Sequence, residues 1–166
     1  MEATQAMVEN GAISADLRRE LVSVADQYSI SPVEALVLAR RVDPAVVARA
    51  IATCAHVPLW LKWPPMAISR ATRHRLPAEL AYEHRVVPLE QDADGDLTVA
   101  MADPLDDEAC REVEFFAGSR IIRLTVPVTL ASGGVFAFYG LETPFLSMWR
   151  KLAEIGDHPY ALAAST

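Results

Sequence analysis

Three consecutive acids, Asp106, Asp107 and Glu108, follow an apolar run that ends at Ala102-Asp103. Carboxylates grouped beside the end of a strand can bind a metal ion or act in acid–base catalysis. The same acids at the start of a helix interact favourably with its exposed N–H groups and its dipole. No histidine or further carboxylate stands near them at a metal-ligand spacing. We therefore predict that these acids begin a helix and do not form a site.

The sequence contains no other arrangement typical of catalysis. It has no GxxxxGK[ST], GxSxG, HExxH or CxxC pattern, and Gly133-Gly134 lacks the lysine and the spacing of a phosphate-binding loop. The histidines are scattered along the chain: His56, His74, His84 and His158. We expect His74 and His84 to be exposed. The prediction is a chain without catalytic residues, metal site or cofactor, and not an enzyme.

Composition restricts the classes of partner. The chain has 166 residues, is 52% hydrophobic and 22% charged, and carries a net charge of −7. A hydrophobic fraction of this size can form a core, whereas the acidic balance disfavours nucleic acid and anionic lipid. The first residues lack the basic and apolar regions of a secretory signal, and no apolar run is long enough to span a bilayer. These features predict a cytoplasmic protein, or a cytoplasmic part of a longer one.

Residues 1–56 are predicted to be helical throughout. Ser14, Ser31-Pro32 and Asp43-Pro44 each precede a segment with apolar residues at helical spacing. Residues 7–21 and 36–51 share one plan, in which an apolar stretch and a short turn lead to a capped helix. We interpret the two segments as a faint internal repeat.

A Pro- and Trp-rich connector at 57–69 is predicted to join this helical bundle to a small α+β domain. The pattern of the second part is α-β-β-α-β-α, with a three-stranded sheet, and its fold class is α+β. We divide the chain into the helical subdomain 1–56, the connector 57–69, the α+β subdomain 70–140 and a C-terminal helix and tail, 141–166. In the α+β subdomain we expect a hairpin at 86–101, a crossover helix at 104–117 and a third strand at 121–128. In the tail we expect a helix at 143–155.

Three motifs give the second part a family resemblance: Leu76-Pro77, Val87-Pro88-Leu89 and the run LTVAMADPLD at 97–106. Together they resemble the N-terminal domain of type II secretion and type IV pilus assembly ATPases. This GspE N-terminal or MshEN-like domain is also attached to some family-2 glycosyltransferases. The resemblance covers about residues 5–140 and is strongest at 75–130.

The resemblance implies cyclic di-GMP as the candidate ligand, because nucleotide-binding members hold it with two repeats that each open with Arg-Leu-Gly. Here Glu2-Ala3-Thr4 and Ser31-Pro32-Val33 stand at those positions, and Arg40 replaces the turn glycine of the second repeat. Arg40-Arg41 is the local basic pair, which would meet a phosphate or simply end a helix in solvent. The candidate ligand-binding residues are Met7, Gly11, Leu17, Leu36, Arg40, Arg41 and Val47.

Two functions fit this pattern. The first is a non-catalytic regulatory module that resembles the cyclic di-GMP-binding domain, with degenerate motifs and weak or lost binding. The second is an adaptor without a small ligand, which docks a secretion, pilus or glycosyltransferase assembly onto a membrane partner. The sequence offers no phosphate-binding loop, so the ATPase function of the relatives is not expected of these residues.

Overall fold

The computed structural model describes residues 1–63 and 68–154. The helices in these ranges are α1 (Ala3–Glu9), α2 (Ala15–Tyr28), α3 (Pro32–Arg40), α4 (Pro44–Ala55), α5 (Arg70–His74), α6 (Ala78–His84), α7 (Asp107–Ala117), α8 (Val128–Tyr139) and α9 (Pro144–Glu154). The strands are β1 (Val86–Gln91), β2 (Leu97–Met101) and β3 (Ile121–Thr125). The predicted α+β class is confirmed.

The helix starts in the first part follow from the capping residues that the sequence displays. The Ser14 hydroxyl accepts a hydrogen bond from the Leu17 amide, and the Asp43 carboxylate accepts one from the Ala45 amide. Ser31 forms a reciprocal capping box with Glu34. All three predicted helix starts are confirmed.

The turn of the second repeat differs from the predicted alignment. The first repeat turns at Gly11, with φ of 79°, where glycine meets no steric penalty. In the second repeat the left-handed residue is Arg41, with φ of 51°, and Arg40 is still in α3. Assigning Arg40 to the turn glycine was therefore wrong. The left-handed residue lies one position later, at Arg41, and only Val42 separates it from the Asp43 cap.

The sheet has the order β1-β2-β3. The hairpin is antiparallel and pairs Val86 with Met101, whereas β3 runs parallel to β2 after the α7 crossover. This topology confirms the prediction. Strand β3 ends earlier than predicted, at Thr125, because Pro127 is the N-cap of α8. The crossover helix also starts later than predicted, at Asp107.

Alternate strand residues point into two different cores. Val87, Ala100 and Leu124 belong to the larger core, which includes the N-terminal helices, α8 and α9. Val86 and Val99 point to the opposite face and pack with α6 and α7. The sheet therefore lies between the helical first part and the crossover helix.

The connector is held against the open edge of β3 and against α8. The Trp60 amide donates to the Thr125 carbonyl over 3.0 Å, and the Trp63 ring meets Phe138 edge-on at 6.3 Å between centroids. A side chain at Gly134 would place its Cβ 2.8 Å from the Trp63 ring. Gly134 therefore makes room for this tryptophan.

Helix α9 covers apolar surface of its own chain. Phe145 and Trp149 are completely buried, their rings stack at 5.8 Å, and both belong to the larger core. The predicted end of this helix at Ile155 lies outside the described residues. None of the helices in the described ranges is long and apolar enough to cross a membrane.

Replacing Trp149 by alanine is expected to lower the free energy of unfolding by about 3–5 kcal/mol, because a large, fully buried ring leaves a cavity. Urea denaturation followed by circular dichroism would measure the change. Lys151→Ala is the control on the same helix, since Lys151 is exposed. Equal midpoints for wild type and Trp149→Ala would show that α9 does not stabilise the fold.

Candidate functional site

The starts of the two repeats meet at one cleft of about 270 Å³. Glu2 reaches it from the start of α1, and Ser31 and Pro32 reach it from the start of α3. The end of α6 and the residues that follow β2 close the other side. The resemblance predicts the two motif positions at Glu2-Ala3-Thr4 and Ser31-Pro32-Val33, and both reach this cleft, so we take the cleft as the candidate site.

Glu2 occupies the position of the first motif and caps helix α1. Its carboxylate accepts hydrogen bonds from the amides of Thr4 and Gln5 over 3.1 and 2.9 Å. Arg18 donates to the same carboxylate over 2.8 Å. Burial alone would raise the pKa of Glu2, but the hydrogen bonds from Thr4 and Arg18 outweigh it and lower the pKa. Glu2 is therefore ionised at neutral pH.

Glu34 follows the second motif position, Ser31-Pro32-Val33, and completes the capping box of α3. One carboxylate oxygen accepts from the Ser31 amide over 3.0 Å, and the carboxylate pairs with Arg85 Nε at 3.4 Å. The Glu34 side chain is fully buried and that of Arg85 is 9% exposed. Arg85 also donates to the Tyr82 carbonyl, and its guanidinium lies 5.5 Å from the centre of the Tyr82 ring. This buried pair joins α3 to the end of α6.

Asp103 anchors the start of α1 to the end of the sheet. Its carboxylate accepts from the Ala3 amide over 2.9 Å and from the Leu105 amide over 3.0 Å. Burial raises the pKa of Asp103 to about 6, although the two amide hydrogen bonds oppose this effect. The neighbouring charges of Glu2 and Asp106 also raise it.

Carboxylates dominate the lining of the cleft. The acids are Glu2, Glu34, Glu83, Asp103 and Asp106, and Arg85 and His84 are the basic side chains. At the start of α1 the amides of Thr4 and Gln5 already donate to the Glu2 carboxylate. At α3 the Ser31 amide donates to the Glu34 carboxylate and the Glu34 amide to the Ser31 hydroxyl. Because like charges repel strongly in a partly desolvated cleft, the lining favours cations over anions.

The apolar residues predicted to bind ligand lie in the core. Met7, Leu36 and Val47 share the larger core and are 5%, 4% and 3% exposed. Leu17 is half-buried against the same core, and Gly11 is exposed in the turn between α1 and α2. None of the five lines the cleft.

The predicted basic pair is also away from the cleft. Arg40 Nη2 lies 2.5 Å from Glu20 Oε2 on the exposed side of α2 and α3. Arg41 is the left-handed residue that ends α3.

Sequence reasoning missed Glu34 and Asp103 as parts of the site. The Ser-Pro-Val-Glu pattern predicts the capping role of Glu34, and Asp103-Pro104 predicts the end of a strand. Neither pattern predicts that the two residues line the same cleft.

Asp106, Asp107 and Glu108 begin helix α7, as predicted. The Asp106 carboxylate accepts from the Ala109 amide over 3.1 Å, and Asp107 and Glu108 occupy the first turn of α7. The prediction for His74 is also confirmed, since this residue is exposed. The prediction for His84 was wrong, because its side chain is only 13% exposed and packs against α7.

Comparison with known proteins identifies the class of domain. Residues 57–132 match the family model of the MshEN domain. This segment is thus similar to the MshEN domain, and the predicted resemblance is confirmed.

Two solved structures share the fold beyond that segment. A structure of MshE with cdg is 16% identical, with a TM-score of 0.58, over 84% of this chain and 99% of the other. The N-terminal domain of XpsE is 19% identical, with a TM-score of 0.54, over 80% of this chain and 90% of the other. No curated protein matches the sequence.

Glu34→Gln is expected to destabilise the chain by about 3 kcal/mol, because it leaves Arg85 buried without a counter-charge. Breaking a buried ion pair usually costs about 3–5 kcal/mol. We expect the low end of this range because Arg85 still donates to the carbonyls of Tyr82 and Glu83. Chemical denaturation would measure it, with Glu142→Gln as the matched control. Glu142 pairs with Arg150 at the surface, where neutralising one partner changes stability little. A similar, small effect of both substitutions would contradict the importance of the buried pair.

The raised pKa of Asp103 predicts how stability changes with pH. The folded chain keeps the proton up to about pH 6, whereas the unfolded chain releases it near the ordinary value of 3.8. Between these values the folded state binds more protons, so stability from this group increases as pH falls. Relative to Asp103→Asn, the wild type should therefore gain stability from pH 7.5 to pH 4.5. Melting curves at several pH values would test this, and a constant difference would refute it.

Proposed function

We propose that this chain is a non-catalytic, cytoplasmic regulatory module of the MshEN type, in which binding of cyclic di-GMP is weak or lost. One observation carries the proposal. At both positions where the family motif would supply arginine and glycine, this chain has a capped helix start whose amides donate to side chains of the chain itself, including the carboxylates of Glu2 and Glu34. The ligand is an anion, and its expected place is lined by acids.

The expected loss of affinity is large. Cyclic di-GMP carries two phosphates, and a site for it needs cationic side chains and close backbone amides. Each charge-assisted hydrogen bond contributes roughly 1.5–3 kcal/mol, so losing one from each repeat costs about 3–6 kcal/mol. Because 1.4 kcal/mol is a factor of ten, binding is weakened by about a hundredfold to ten-thousandfold.

Residual binding would depend on Arg40 or Arg41 as the charge partner. The apolar wall would have to come from the repeats, near Met7, Leu17, Leu36 and Val47. Of these four, only Leu17 is more than marginally exposed. The packing therefore supports weak binding at most.

Isothermal titration calorimetry with cyclic di-GMP tests the proposal. We expect no saturable binding in the micromolar range for the wild type, with MshE as the positive control. Submicromolar binding by the wild type would contradict the proposal. If weaker binding is measured, the double variant Arg40→Ala, Arg41→Ala should abolish it. Equal affinity of that variant would exclude the two arginines as the charge partner.

A docking adaptor is the second candidate function, and an exposed aromatic pair favours it. Phe115 and Phe116 on α7 are 80% and 55% exposed, and their rings meet edge-on at 5.3 Å. Exposed aromatic side chains of this kind are frequent at protein interfaces. In this proposal the partner belongs to a secretion, pilus or glycosyltransferase assembly, and the module acts without a small ligand.

A further inference from the structure

Three side chains of types that can bind a metal ion lie close together on two helices, and two of them, Glu83 and His84, also line the acidic cleft. His84 Nε2 lies 2.9 Å from Glu112 Oε2, which joins the end of α6 to the middle of α7. Glu83 is the neighbour of His84, and one donor atom from each of the three residues lies within 4.8 Å of the others. His84 is mostly buried, whereas Glu83 is exposed and Glu112 is 41% exposed.

The spacing of these donors is close to what a tetrahedral metal ion requires. Zinc binds imidazole nitrogen and carboxylate oxygen at about 2.0–2.2 Å, which separates two ligand atoms by about 3.4 Å. His84 and Glu112 would need to separate slightly, and Glu83 would need to approach by an ångström or so. Both glutamates are long, partly solvated side chains, so rotation about their side-chain bonds can supply these shifts.

The local charges also favour a cation. In the described ranges no lysine or arginine forms an ion pair with Glu83 or Glu112. Arg85 is adjacent in sequence, but its guanidinium is directed to Glu34 and to the carbonyls of Tyr82 and Glu83. Within the described ranges, the two carboxylates therefore lie beside an imidazole that is held by Glu112, with no lysine or arginine side chain paired to either of them.

We propose that Glu83, His84 and Glu112 bind one divalent ion of the zinc class, with solvent completing its coordination. The imidazole selects zinc, cobalt or nickel over magnesium and calcium, which prefer sites made of oxygen ligands alone. The bound ion cross-links α6 to α7. Since His84 precedes Arg85, the cross-link also fixes the residue that holds Glu34 of the first part.

The test is a titration of the tag-free chain, stripped with a chelator and dialysed, with zinc chloride at pH 7.5. We expect saturable binding of a single equivalent by calorimetry, visible absorption bands when cobalt replaces zinc, and no binding of magnesium. His84→Gln and Glu112→Gln should each weaken zinc binding by at least about tenfold, because losing even an outer-shell partner typically costs that much. His74→Gln and Glu90→Gln are the matched controls at exposed positions and should bind as the wild type does.

Glu83→Gln is the variant expected to fold like the wild type, because Glu83 is exposed and its replacement leaves the His84–Glu112 contact intact. It should also weaken zinc binding, with an unchanged circular dichroism spectrum. The proposal is overturned if the wild type shows no saturable zinc binding. It is equally overturned if the folded Glu83→Gln, His84→Gln and Glu112→Gln variants keep the affinity of the wild type.

Discussion

The buried pair of Glu34 and Arg85 connects the helical first part of the chain to the sheet. Glu34 completes the capping box of α3 with Ser31 and is fully buried, so its charge requires the partner that the end of α6 supplies. An ion pair in this position needs good geometry and further hydrogen bonds to offset its desolvation. The Ser31 amide and the Tyr82 carbonyl supply such bonds. The pair thereby sets how the second repeat approaches the sheet, and with it the shape of the cleft.

We propose that the same constraint lets a shared fold carry an altered site. The matches to MshE and XpsE concern the arrangement of helices and strands, whereas ligand recognition in any fold depends on particular side chains. Here those starts are stabilised from within the chain, by Glu2 at α1 and Glu34 at α3. Carboxylates that cap these helices contribute to stability, and they also occupy the amides that an anionic ligand would need.

Local patterns predicted most of the fold, because caps, prolines and strand alternation act over a few residues. Ser14, Ser31 and Asp43 located three helix starts correctly, and the third strand was wrong only at its end, where Pro127 begins α8. The site was less predictable. Leu36 has the same helical spacing whether it faces a ligand or the core, and its burial is decided by packing between helices. His84 and Glu112 are separated by 28 positions, so no spacing rule could pair them.

We propose that the cleft between the two repeat starts binds an anionic dinucleotide weakly or not at all. Two-dimensional ¹H–¹⁵N spectra of the labelled chain, recorded while cyclic di-GMP is added, test it residue by residue. We expect the amide signals of Glu2, Ser31, Glu34 and Arg85 to show no saturable shift at micromolar ligand. Saturable shifts of these four signals at micromolar ligand would contradict it.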